Sequence, residues 1–387
     1  MGFIRQQSIL ILLIISCCNS FSQTWVDSLD NYTRKKFLPA SKYIWSWQHA
    51  SILYSTKHLY YSADETQKST YLNYIKKAMD RTVWYANGKS PNAVASGLGM
   101  ALLAKELREE KYVDKSLDIY EQYLQIRRTG NGGVSHLKNH DELWDDTIFM
   151  IGQFLLGMYE TTQDEKYLSE LIQQIDIHKS RLQDNETKLW VHGWDEDGKG
   201  HCTVCGDKNW ANQTTHQSAE FWGRGNGWIV VTLSDILRTI PKSSTHYSKT
   251  VDYLTEMIQK VIVLQDEKTG HWYQLPVRKN ETGNFIESSC TAMFGYGILT
   301  ALELKLVKGE KYENAIQLAY NGLRKHSIHK LSDKYITTQN VCTGTCIGDK
   351  KYYLSRPVKK GKSFGLAMFI RFGSTYEKSR FFQSKIN

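Results

Sequence analysis

Two kinds of hydrophobic pattern alternate along this chain, and that alternation limits the fold more than any other feature. Six segments are apolar nearly all round, at about 43–59, 92–108, 144–160, 226–240, 290–306 and 363–373. Six others carry a polar face, at about 25–37, 69–85, 112–127, 165–181, 246–264 and 310–326. In Tyr71-Leu72-Asn73-Tyr74-Ile75-Lys76-Lys77-Ala78-Met79 the apolar residues recur at helical spacing while the lysines take the other side. A helix apolar all round must be buried, and one with a polar face lies at the surface. The order is outer then inner, six times. The architecture this predicts is all-α: a six-fold α/α barrel of six inner helices ringed by six outer ones. The scarcity of proline (5) also favours long helices. All inner helices then run parallel, so the residues that precede them should converge on one mouth.

No linker or low-complexity tract divides the chain, so residues 23–387 are expected to form one domain. Residues 1–22 read as a signal peptide: Arg5, an apolar run from Ile9 to Ile15, then Ser20-Phe21-Ser22 before a cut at Gln23. Ile14-Ile15-Ser16-Cys17 also fits a lipoprotein signal, which would leave a lipid on Cys17. Either reading places the protein outside the cytoplasm, in the periplasm or at the cell surface. The apolar run is too short to span a membrane, and no later segment is long enough. The net charge of +9 comes with no nucleic-acid-binding arm; Lys359-Lys360-Gly361-Lys362 is the densest basic patch. A basic exported protein suits an anionic glycan, although a solvated basic surface explains the charge as well. Cys202, Cys205, Cys342 and Cys346 could form disulfides, stay free, or make a four-thiolate zinc site; their spacing fits no standard zinc module, so no metal or cofactor is expected. No feature of the sequence sets an oligomeric state.

Chemistry-bearing residues gather at the starts of the inner segments. Asp141-Glu142-Leu143-Trp144-Asp145-Asp146 heads the third, where Asp141 is a fair N-cap and Asp145 and Asp146 lie a turn further in. Carboxylates at the mouth of a buried helix are costly unless paired or used. Phe221-Trp222-Gly223-Arg224-Gly225-Asn226-Gly227-Trp228 opens the fourth. Its tryptophans offer flat apolar faces for a sugar ring, and Arg224 a planar fork for a carboxylate; the plainer reading is core packing and a structural ion pair. With no preceding strand and no P-loop lysine, the string does not read as a nucleotide site. His136 and His140 precede the aspartates, and His192 sits in the longest connection, roughly 183–225. Glu287-Ser288-Ser289-Cys290 opens the fifth segment, where capping alone would account for it.

Together Trp222-Gly-Arg-Gly-Asn-Gly-Trp228, Val191-His-Gly-Trp-Asp195, Gly132-Gly-Val-Ser-His136, Trp144-Asp-Asp146, Ser289-Cys-Thr-Ala-Met-Phe294 and Gly344-Thr-Cys-Ile-Gly348 resemble the unsaturated uronyl hydrolases (rhamnogalacturonyl and glucuronyl) of glycoside hydrolase family 105, relatives of family 88. The resemblance implies the same barrel. It also implies an enzyme that removes a 4,5-unsaturated uronic acid from the non-reducing end of lyase-generated oligosaccharides, by hydrating the C4=C5 enol ether. By motif the catalytic acid would be Asp146, with Asn92, His136, His192, Trp222, Arg224, Asn226, Trp228 and Ser289 around the substrate. Asp145 would then point about 100° away around the helix and serve structure. Asn92 departs from the family, which often has an aspartate there. Two other readings stand beside this one. The first is an inverting glycosidase with Asp146 as acid and Asp195 or Glu287 as base. The second is a non-catalytic glycan-binding protein.

Overall fold

The computed structural model describes residues 24–201 and 208–383, so the leader, Cys17, Cys202 and Cys205 lie outside the described residues. Among the described residues fifteen α-helices follow in chain order. They are α1 (Trp25–Tyr32), α2 (Trp47–Ser62), α3 (Glu65–Thr82), α4 (Pro91–Val94), α5 (Gly97–Leu107), α6 (Glu110–Leu124), α7 (Thr147–Thr162) and α8 (Glu165–Leu182). Then come α9 (Gly223–Thr239), α10 (Tyr247–Val261), α11 (Ser288–Glu303), α12 (Glu310–Gly322), α13 (Lys350–Leu354), α14 (Ser363–Lys378) and α15 (Arg380–Gln383). Helices α2, α5, α7, α9, α11 and α14 form a closed ring: each packs on the next, and α14 returns onto α2. Outside it lie α1, α3, α6, α8, α10 and α12, each against inner helices. The chain is therefore the six-fold α/α barrel that its alternating pattern predicts.

Burial follows pattern. In α7 every residue from Thr147 to Tyr159 is buried, whereas α8 buries one stripe that includes Tyr167, Leu168, Leu171, Ile172 and Ile175. Small residues let the inner helices approach. A methyl on Gly97 of α5 would lie 2.7 Å from the Phe154 ring of α7. Gly97→Ala is therefore expected to destabilise the fold by about 1–3 kcal/mol through overpacking, read as a lower urea midpoint at unchanged slope.

The barrel axis is not wholly apolar. Asp235 of α9 accepts hydrogen bonds from Tyr54 (2.8 Å), Gln153 (3.0 Å), Tyr296 (2.7 Å) and Arg371 (2.8 Å), which come from α2, α7, α11 and α14. One carboxylate thus ties five of the six inner helices together. The buried carboxylate is tolerable because Arg371 supplies an opposite charge at 2.8 Å and three neutral donors complete its hydrogen bonds.

Three antiparallel strand pairs lie among the loops. β1 (Glu142–Trp144) pairs with β2 (Gly193–Asp195) in the register Glu142↔Asp195, Leu143↔Trp194, Trp144↔Gly193. β3 (Ile328–Lys330) pairs with β4 (Ile336–Thr338), and β5 (Val341–Cys342) with β6 (Val358–Lys359). Cys346 is held in a disulfide, while Cys290 and Cys342 are free and buried.

Candidate active site

The β1–β2 pair brings the long connection over the head of α7. The ladder continues beyond the strands: Asp145 N donates to His192 O (2.9 Å), His192 N to Glu220 O (3.2 Å) and His136 N to Glu142 O (2.9 Å). Residues 134–146, 190–195 and 217–222 are woven together by main-chain bonds, which hold His136, the aspartates, His192 and Trp222 over one mouth. Asn226 locks the weave to α9. Its Nδ2 donates to Trp190 O and Trp222 O, and its Oδ1 accepts from Trp190 N. Expected at the substrate, Asn226 instead spends its amide on main chain.

Capping does not account for Asp146. It stands at the N-cap of α7, yet its side chain caps nothing. Asp141 does not cap either; it pairs with Arg127 at 2.6 Å on the rim. Asp146 Oδ1 lies 3.5 Å from His136 Nδ1, and 13% of the Asp146 side chain is exposed. His136 Nδ1 also meets Thr147 Oγ1 at 2.8 Å, and Asn92 Nδ2 donates to His136 Nε2 at 3.4 Å. The His136 ring stacks on Trp144, with centroids 4.5 Å apart and planes 5° apart. His192 lies against Trp222 at 4.4 Å and edge-on to Trp144 at 5.4 Å, and its Nδ1 is 2.8 Å from the Tyr353 hydroxyl.

Arg224 is buried at 1% exposure, and its guanidinium lies between the rings of Trp222 (4.6 Å) and Phe364 (4.4 Å). Its fork is occupied. Nη1 donates to Cys342 O (3.1 Å) and reaches Glu287 Oε1 and Ser289 Oγ at 3.4 Å, and Nη2 donates to Thr343 O (2.7 Å). Instead of presenting the fork to a substrate carboxylate, Arg224 pins α9, α11 and the β5–β6 turn together. Ser289 donates to Glu287 and belongs to the same network. Trp228 lies deeper, stacked on Phe149 at 4.0 Å within the core. Of the residues singled out in the sequence, Asn92, His136, Asp146, His192, Trp222 and Arg224 thus adjoin one another at the mouth. Asn226, Trp228 and Ser289 support them from behind.

Asp145 is placed otherwise than the helical-wheel argument expects. It lies in the turn between β1 and α7, outside the helix, so the angle around a helix does not apply. It is wholly buried and faces the site: Oδ1 is 3.9 Å from His192 Nε2. Trp144 and Tyr353 are the residues sequence reasoning missed. Trp144 carried a signal, its place in Trp144-Asp145-Asp146; Tyr353 carried none.

Buried polar atoms are almost always paired in native proteins. Here Asp145 Oδ1 and Oδ2, Asp146 Oδ1, His192 Nε2, Trp222 Nε1 and Arg224 Nε are buried without a hydrogen-bond partner in the protein. That concentration marks a place built to meet a ligand. Burial raises the Asp146 carboxyl above its ordinary range, against the pull of His136 and Arg224. Burial likewise lowers His136, and lowers His192 well below the ordinary histidine value, so both rings stay neutral. A carboxyl group whose burial favours its protonated form, flanked by neutral imidazoles and flat aromatic walls, has the surroundings of a proton donor.

Among the described residues two trios have ligand-type atoms close enough for a cation: Asp145, Asp146 and His192, and Asp195, Asp197 and His201 on the rim. In the second trio Asp195 Oδ2 already accepts from Lys199 N and Gly200 N. The first trio lies at the mouth and includes Asp146.

The Glycosyl Hydrolase Family 88 model matches residues 18–380. An unsaturated rhamnogalacturonyl hydrolase of Bacillus subtilis is 25% identical over 285 residues, covering 71% of this chain and 74% of that protein. A family 105 glycoside hydrolase of C. acetobutylicum superposes with a TM-score of 0.80 at 24% identity, over 92% of this chain and 100% of the other. An unsaturated glucuronyl hydrolase of Bacillus sp. GL1 superposes at 0.63 with 14% identity, over 91% and 94% of the two chains. Both solved structures share the barrel. With its fold and nearly its whole described length matched, the chain belongs to Glycosyl Hydrolase Family 88 and is a glycoside hydrolase.

Proposed function

We propose that the enzyme removes a 4,5-unsaturated uronic acid, of the glucuronyl type, from the non-reducing end of anionic oligosaccharides left by polysaccharide lyases. The observation that carries this reading is the state of the carboxyl groups. Asp146 is partly exposed at the mouth, uncapped and inclined to keep its proton. The two carboxylates that could serve as the base of an inverting glycosidase are already engaged. Asp195 holds main-chain N–H groups, and Glu287 accepts from Ser289 Oγ, Cys290 N and Cys342 N. One available acid suits hydration of an enol ether better than displacement at an anomeric carbon.

In this reading Asp146 gives its proton to C4 while water adds at C5. The water's proton returns to the carboxylate, the hemiketal opens, and the aglycone leaves. Trp144 and Trp222 flank the ring, and Asn92 steadies His136. The net positive charge favours approach of an anionic chain. The leader-like pattern of residues 1–22 and the disulfide at Cys346 support export to an oxidising compartment.

The test uses ultraviolet absorbance, since the C4=C5 bond conjugated with the carboxylate absorbs and its hydration bleaches the band. We expect the enzyme to bleach unsaturated glucuronyl disaccharides. Faster bleaching of unsaturated galacturonyl-rhamnose would select the rhamnogalacturonyl reading, which the likeness to the B. subtilis protein favours. Hydrolysis of saturated glycosides without bleaching would replace both with the inverting mechanism.

A further inference from the structure

The chemistry above uses one carboxyl, yet a second is built in behind it. Asp145 has no exposed surface, and neither of its oxygens has a hydrogen-bond partner in the protein. The first turn of α9 closes over it: a Cβ on Gly225 would stand 1.9 Å from Asp145 Oδ2, so only glycine leaves space for this carboxyl. Oxygens of Asp145 and Asp146 and a ring nitrogen of His192 lie within 4.8 Å of one another.

We propose that Asp145 and Asp146 act as one carboxyl pair that holds a single proton through neutral pH, and that this shared proton is the one delivered to the substrate. The identity of the acceptor, C4 of an unsaturated uronate, rests on the reading under Proposed function; the pair itself rests on geometry.

The surrounding charges leave the pair no alternative. From α9 comes Arg224, whose guanidinium is already committed to Glu287 and two carbonyls. From the long connection comes His192, and from the loop before β1 comes His136 beside Asp146. Burial keeps both neutral. From α13 comes Tyr353, whose phenol burial pushes well above its ordinary value, so it too is uncharged. One cation with its own partner cannot balance two buried carboxylates, and like charges in a dry site do not both ionise. Burial and then Asp146 drive Asp145 well above the carboxylate range. In the reaction Asp146 gives one proton to the alkene carbon, water adds to the neighbouring carbon, and the water's proton returns to the pair. No net proton or electron is consumed. Asp145 does not touch substrate; it is a positioning residue that keeps Asp146 loaded.

Two measurements decide the matter. Activity needs Asp146 protonated, so kcat/KM falls as pH rises through the last ionisation of the pair. Asp145→Asn removes the like charge that delays this ionisation. The alkaline limb should therefore move to lower pH by about one unit or more, with activity retained at the acidic end. A residue that merely packed would lower the rate at all pH values and leave the limb in place. Independently of any substrate, infrared difference spectroscopy of the wild type should show a protonated carboxyl band at neutral pH that Asp145→Asn abolishes. Persistence of that band in the variant would mean that Asp146 holds its proton alone, and would overturn the proposal. So would loss of the band with an unmoved limb, which would assign the proton to Asp145 alone. If no unsaturated oligosaccharide is turned over, the substrate reading fails, and the infrared result still decides whether the pair shares a proton.

Discussion

Asp146→Asn is expected to lower the rate of bleaching of an unsaturated disaccharide by about 100- to 10,000-fold, the usual cost of removing a general acid. The substitution keeps size and polarity but cannot cycle a proton. Because the Asp146 side chain caps nothing and one of its oxygens has no partner in the protein, little structure depends on it. The variant should therefore fold with a thermal midpoint close to the wild type. That separation of activity from stability is the feature to look for. A folded Asp146→Asn protein that bleaches at the wild-type rate would show that another group delivers the proton. Asp145→Asn should lose far less at its own pH optimum, since Asp145 has no access to substrate.

Arg224→Ala should show the reverse balance, with a large loss of stability. Arg224 and Glu287 are buried at 1% and 0% exposure and approach to 3.4 Å. Breaking a buried pair from one side leaves the other charge uncompensated, at a cost of about 3–5 kcal/mol. Two carbonyls, of Cys342 and Thr343, lose their donor in the same step. Arg224→Lys is not a rescue, because a point charge cannot serve two carbonyls and a carboxylate in one plane. Equilibrium denaturation in urea measures both variants. A loss below about 1 kcal/mol would mean that Ser289 and the N–H groups of Cys290 and Cys342 suffice to hold Glu287, since a hydrogen bond is worth about that much. It would also free Arg224 for the substrate-binding role its sequence context suggests.

The two expectations separate groups that the sequence placed together. Asp146, Arg224, Asn226, Trp228 and Ser289 all occupy the same kind of position, the start of an inner helix. Their side chains nevertheless go to different uses: Asp146 to the mouth, Arg224 and Ser289 to the Glu287 network, Asn226 to the main chain of residues 190 and 222, and Trp228 to the core. Position along the chain sets which end of the barrel a residue occupies. It does not set which neighbour its side chain meets.

What the sequence determined by itself was whatever depends on short-range periodicity. The burial of α7 on every side and the single stripe of α8 are properties of residues three and four apart, so twelve helices and their inner or outer place could be read directly. Parallel inner helices then sent His136, Asp146, His192 and Trp222 to one mouth. Only the tertiary structure decided what joins distant stretches. Tyr353 reaches His192 across 161 residues, and the fork of Arg224 is filled by carbonyls 118 and 119 residues away. A main-chain carbonyl carries no sequence signal, so that occupation could not be foreseen. The Asp145 carboxyl is the clearest case. Counted around a helix it points away from Asp146, but residue 145 lies in the turn between β1 and α7, where its N–H is held by His192 O at the end of the β1–β2 ladder and its side chain meets His192 and Gly225. The direction of that side chain was set by a strand partner about fifty residues further along the chain, which no local pattern at Asp145 contains.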